Sequence, residues 1–101
     1  MEQPFIEVVT FTLKPGTDPA RFQQGVAASW RFLRGRPGFL GRHLARAEDG
    51  GMIDIVLWRD HASAQAAAGA FMAEPSLEPF GAAMTEESVV MRHYAALPPA
   101  G

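Results

Sequence analysis

Asp54 and Trp58 stand four residues apart in the stretch MIDIVLWRDH (52–61). Side chains alternate along a strand, so both residues share one face. An acid and an indole on one surface suit a small aromatic ligand. The indole offers a wall and an N–H donor, and the carboxyl can handle a proton. Burial raises the pKa of an acid, so a carboxyl among apolar neighbours either donates while protonated or acts as general base on a phenol or quinol. The alternative is a structural acid held by a backbone N–H or an Arg. The residues alone leave both open.

Other residues extend this pair. An even-numbered hairpin loop around Asp49-Gly50-Gly51 pairs odd with even positions and brings His43 beside Asp54 and Trp58, as proton shuttle or hydrogen-bond partner. A register shift of one residue turns it outward. In ESVVMRHYAAL (87–97), Arg92 and Tyr94 share a face and His93 takes the other. Arg92 suits a carboxylate, Asp54 or Glu7, or an anionic substrate. Tyr94 is a core or interface aromatic, or a substrate contact. Glu7 is a second acid among apolar neighbours, in FIEVVTFTL (5–13), facing the cavity or lying at a dimer rim. The catalytic candidates are therefore Asp54, Trp58 and His43, and the substrate-binding ones Glu7, Arg92 and Tyr94. His43, His61 and His93 show no metal-ligand spacing, Cys is absent, and there is no glycine-rich phosphate loop or nucleophile elbow. Neither a metal nor a cofactor is expected.

The elements that carry these residues are marked by their boundaries. Residues 5–13 are β-branched and aromatic and stop at Lys14-Pro15-Gly16. Asp18-Pro19 opens a helix over about 19–34, with Phe22, Val26, Ser29, Trp30 and Leu33 at helical spacing and Gly35 and Pro37-Gly38 ending it. FLGRHLARA (39–47) and residues 52–59 make a hairpin. Asp60 caps a second helix over 61–74, which Pro75 ends; a short helical turn follows near 77–84, then a last strand over 87–97. The order βαββαβ is a ferredoxin-like α+β pattern, an antiparallel four-stranded sheet with both helices on one face. Ile53, Ile55 and Leu57 are the expected helix-packing set, which leaves Asp54 and Trp58 facing a cavity on the other side. Both faces of the third strand are apolar, where a wet face would be polar. The simplest cover for the second face is the same face of another copy, so a homodimer is expected.

The whole makes one domain over 1–97 with a flexible tail at 98–101. Residues 1–46 hold seven Lys/Arg against three Asp/Glu, and 47–101 hold two against eight. These halves either attract across an interface or lie on solvated faces. A net charge of −2 argues against a nucleic-acid binder. No apolar run approaches roughly 18 residues, so neither a membrane span nor a signal peptide is read, and a cytoplasmic protein is expected.

FIEVVTFTLKPG, WRDHASAQAAA, FMAEP and SVVMRHY, in this order and spacing over residues 5–96, resemble the antibiotic biosynthesis monooxygenase family of dimeric α+β barrels. The resemblance implies a dimer with a pocket between sheet and helices or within the barrel. It further implies oxygenation of a small aromatic or quinol-like substrate without metal or flavin. It places an Asn and a Trp four apart on the third strand; Trp58 matches, but Asp54 stands at the Asn position, and an ionised Asp cannot donate to an oxyanion. In haem-degrading relatives a His on the second helix binds iron. Here residues 64–73 hold no His and His61 sits at the helix start, so haem is not expected. The readings that remain are a cofactor-independent monooxygenase and a non-catalytic dimeric module binding a small ligand.

Overall fold

The computed structural model describes residues 3–100. Strand β1 (Phe5–Phe11) is followed by a turn in which Gly16 takes the left-handed conformation, φ 76°. Helix α1 (Pro19–Arg34) begins where the Asp18 carboxylate accepts from the Ala20 N–H, and Pro19 supplies a pre-set φ in its first turn. Its inner face carries Phe22, Gly25, Ala28, Ser29 and Leu33. Strands β2 (Phe39–Arg46) and β3 (Met52–Trp58) form a hairpin, and helix α2 (His61–Met72) starts with the Asp60 carboxylate accepting from the Ser63 N–H at 2.8 Å. A 3-10 turn (Pro75–Leu77), the short helix α3 (Glu78–Gly81) and a second 3-10 turn (Glu86–Ser88) lead into β4 (Val90–Ala95).

The strand order is β2-β3-β1-β4, with every neighbouring pair antiparallel. This is the expected ferredoxin-like α+β fold with a four-stranded antiparallel sheet. Boundaries shift by a few residues. The first strand stops at Phe11, although Leu13 still bridges to Met84. The second helix ends at Met72, and the last strand starts at Val90 because Glu86–Ser88 coil into a 3-10 turn.

Which face the helices cover differs from the expectation. Met52, Asp54, Val56 and Trp58 are the buried set of β3, while Ile53, Ile55 and Leu57 are half-buried on the opposite, uncovered face. Apolarity could not decide between two apolar faces; aromatic bulk does. Phe5 and Phe11 of β1 pair with Trp58 and Met52, so all lie on the helix side, where Phe39 also packs edge-on against Trp58.

Two apolar clusters hold the helices to the sheet. Phe11, Phe22, Met52, Phe80 and Ala83 form one, and Leu33, Val56, Trp58, Ala64 and Ala67 the other. Close approach of α1 to α3 requires Gly25, since a Cβ there would meet the Phe80 backbone nitrogen at 2.5 Å. No helix of the described residues is long and apolar enough to cross a membrane.

Candidate functional site

Between the two clusters, sheet and helices part to leave a cavity of about 280 Å3. Its wall is mostly apolar, from Leu33, Val56, Ala67, Phe71 and Phe80 among others, and its polar members are Glu7, Ser29, Arg42, Asp54 and Trp58. Of its lining residues, Met72 at the end of α2 and Met91 of β4 are exposed.

Asp54 is only 8 % exposed and is held by Arg42, itself 7 % exposed. The guanidinium grips the carboxylate with both prongs, Nε to Oδ1 at 2.9 Å and Nη2 to Oδ2 at 2.8 Å. Its Nη1 donates to the Ser29 hydroxyl at 2.7 Å, and that hydroxyl donates to the Val26 carbonyl at 2.7 Å. The Trp30 and Phe80 rings stand 5.0 and 5.4 Å from the guanidinium carbon. Such a bidentate, fully bonded pair is the geometry in which a buried ion pair is tolerated. Removing one partner strands the other charge, at a cost of about 3–5 kcal/mol.

Glu7 carries the other carboxylate of the cavity wall. Its Oε1 accepts from the Trp58 indole N–H at 3.0 Å, and its Oε2 lies 4.0 Å from His93 Nε2. No Lys or Arg among the described residues pairs with it. Because Arg42 and Asp54 offset each other, the formal charge that the cavity presents is that of Glu7. Phe5 stacks on His93 and on His61, with centroids 5.4 and 4.7 Å away, at the end of the sheet beside Glu7.

The structure thus brings Asp54, Trp58 and Glu7 of the sequence candidates together. It separates His43, Arg92 and Tyr94 from them. His43 stands opposite Ile55, Arg92 opposite Val8 and Tyr94 opposite Ile6, all on the uncovered face. The His43 placement fails because the loop 47–51 between Arg46 and Met52 has an odd length, which pairs even positions with even ones, Leu44 with Asp54 and Arg42 with Val56. That parity brings Arg42 to Asp54 and excludes Arg92 as its partner. Arg42, Ser29 and His93 were missed as site residues. Arg42 was readable only with the loop parity known; Ser29 lay in the apolar periodicity of α1, where a hydroxyl at a core position is a signal for a buried polar partner. Among the described residues no three His, Cys, Asp or Glu side chains are grouped to hold a metal ion.

Neither a protein-family model nor a curated protein sequence matches the chain. Solved structures do. SnoaB, a cofactor-independent oxygenase from Streptomyces nogalater, is 24 % identical with a TM-score of 0.64, over 98 % of this chain and 96 % of that one. A candidate antibiotic biosynthesis monooxygenase from Bordetella bronchiseptica superposes with a TM-score of 0.78 at 17 % identity, over 96 % of this chain and all of its own. Another from Caulobacter crescentus gives a TM-score of 0.73 at 16 % identity, over 96 % and 92 %. At these identities the likeness is one of fold, and at that level the resemblance read from the sequence is borne out: the chain has the ferredoxin-like α+β fold of the antibiotic biosynthesis monooxygenases.

Proposed function

We propose that the chain is a cofactor-independent monooxygenase that acts on a small, uncharged aromatic substrate in the cavity between its sheet and helices. The observation that carries this reading is the one cavity carboxylate not paired with a guanidinium, Glu7, on an apolar wall, oriented by the Trp58 indole N–H and without a Lys or Arg among the described residues bonded to it. A cavity whose formal charge comes from one carboxylate disfavours anionic ligands and suits a neutral weak acid. An anthrone, a ketone whose acidic CH2 lies between two aromatic rings, has that chemistry. Glu7 takes one C–H proton, and the electron-rich carbanion transfers its electrons to O2 as the C–O bond forms. The peroxide then loses its second oxygen, which leaves with the two former C–H hydrogens, or solvent protons in exchange for them, as water. The substrate gains one oxygen atom as a carbonyl and O2 is the only oxidant. Trp58 holds Glu7 and walls the ring plane, while Asp54 fixes Arg42 as a rigid floor.

Similarity to an oxygenase that works without a cofactor supports the reading. The experiment is oxygen uptake with anthrones, hydroquinones and naphthols, flavin omitted and chelator present. Uptake with incorporation of one atom of isotopically labelled O2 into product is expected; absence of uptake across the panel would overturn the reading. A second reading, a non-catalytic binding module, is favoured by one observation, the saturation of both Asp54 oxygens by Arg42. It predicts quenching of Trp58 fluorescence by naphthol in a Trp30→Phe background, with no turnover.

The assembly that goes with the function is a homodimer. Ile6, Val8, Ile53, Ile55, Leu57, Val90 and Tyr94 are the apolar residues of a sheet face, shared with His43 and Arg92, that no helix among the described residues covers. A second copy of the same face is the simplest cover for it.

A further inference from the structure

We infer that His93 connects Glu7 to solvent, so that the proton Glu7 removes from substrate leaves the cavity through the His93 imidazole. The inference rests on the oxygenase reading above and adds a residue that this reading does not use. Glu7 has two oxygens with different surroundings. One is engaged by Trp58 at 3.0 Å, and the other points to His93 Nε2 at 4.0 Å, a separation that a small side-chain rotation or one intervening water closes to hydrogen-bond reach. The Glu7 side chain is 15 % exposed and that of His93 is 41 %, so the pair spans from cavity wall to surface. The imidazole is held in place by its stack on Phe5, whose ring also stacks on His61 and packs against the cluster around Trp58. His93 pairs directly with Glu7 across β1 and β4, so their relative position is set by the sheet and not by a loop.

The chemistry balances in two transfers. The substrate C–H breaks and a Glu7 O–H forms; then that O–H breaks, Nε2 of a neutral His93 gains the proton, and the imidazolium loses a proton to water. The proton that the departing peroxide oxygen needs returns from solvent, and the net reaction is unchanged. An imidazole is the side chain whose ordinary pKa allows both steps near neutral pH. The titratable groups facing His93 are Glu7 of β1 and His61 of α2, whose ring centroid is 6.4 Å away; Asp60 and Arg59 next to His61 pair with each other at 3.3 Å.

The test compares wild type and His93→Gln in oxygen uptake with the best anthrone of the panel, from pH 5 to 9, with and without added imidazole. His93→Gln keeps a polar group but cannot relay a proton. Expected are a fall in kcat of roughly 10²-fold at unchanged KM, the low end for a positioned proton-transfer group, a pH profile that differs from that of wild type, and restoration of rate by imidazole. A wild-type rate and pH profile in His93→Gln would overturn the relay while leaving the oxygenase reading standing. A loss of rate that imidazole does not restore, with the pH profile kept, would make His93 structural and equally overturn it. Absence of uptake by wild type would instead sink the oxygenase reading, and the relay with it. Naphthol quenching of Trp58 in Trp30→Phe/His93→Gln checks that the cavity is intact in the variant.

Discussion

At the scale of single residues, the question raised by an acid in an apolar strand has a definite structural answer. Asp54 is locked by a two-pronged Arg42 whose remaining donor goes to Ser29. Asp54→Ala is expected to destabilise the fold by about 3–5 kcal/mol, because it leaves a buried guanidinium without its counter-charge. The double variant Arg42→Met/Asp54→Leu should recover most of that loss in urea unfolding; a double variant as unstable as Asp54→Ala would contradict the stranded-charge explanation. A loss of activity in Asp54→Ala alone therefore reports on folding before it reports on chemistry. Glu7 is the better acid to test, since Glu7→Gln keeps an acceptor for Trp58 and removes only the base. The sequence made Asp54, Trp58 and Glu7 legible as candidates because buried acids and a neighbouring indole stand out by type. It did not make their partners legible. Partnering depends on strand register, and one residue of loop length exchanged His43 for Arg42.

At the scale of elements, order and type were readable nearly throughout, since turn glycines, Asp caps and β-branched runs mark them locally. The face that the helices cover was not, because β3 alternates one apolar set with another and the choice is made by aromatic residues from β1 and β2 packing together. Two elements lend themselves to checks. Asp60, at the start of α2, has its carboxyl held below the ordinary value of 3.8 by hydrogen bonds from the Ser63 side chain and backbone. A lowered folded pKa means that the cap stabilises above the unfolded value and is lost as pH falls through the folded one. Thermal melts should accordingly show Asp60→Ala lowering the Tm at pH 6 but converging on wild type towards pH 2; a constant gap would rule out the carboxylate cap as its cause. Gly25→Ala should destabilise by about 1–3 kcal/mol as α1 is pushed off the Phe80 backbone, again read by unfolding. A neutral Gly25→Ala would show that α3 moves freely.

At the scale of the whole molecule, the fold separates two jobs. One face of the sheet closes a cavity under the helices, and the other leaves an apolar surface that no helix among the described residues covers, which we propose a second copy covers. Ile55→Glu, in the middle of that surface, is expected to convert a dimer at micromolar concentration into a monomer by sedimentation without abolishing the fold; a wild-type monomer under the same conditions would remove the dimer altogether. The two apolar faces of β3 were readable from sequence, while the position of the cavity, between sheet and helices and not between two sheets, needed the three-dimensional arrangement. Glu7 joins these levels, because the strand pairing that orders the sheet also aims its carboxylate at the cavity and at Trp58. The most direct measurement is kcat for anthrone oxygenation by Glu7→Gln against wild type, with melting temperatures measured on the same samples. The predicted result is a rate loss of about 10²–10⁴-fold, the contribution of a positioned general base, at an unchanged Tm. A Glu7→Gln enzyme that keeps the wild-type rate would contradict Glu7 as the base and with it the proposed mechanism.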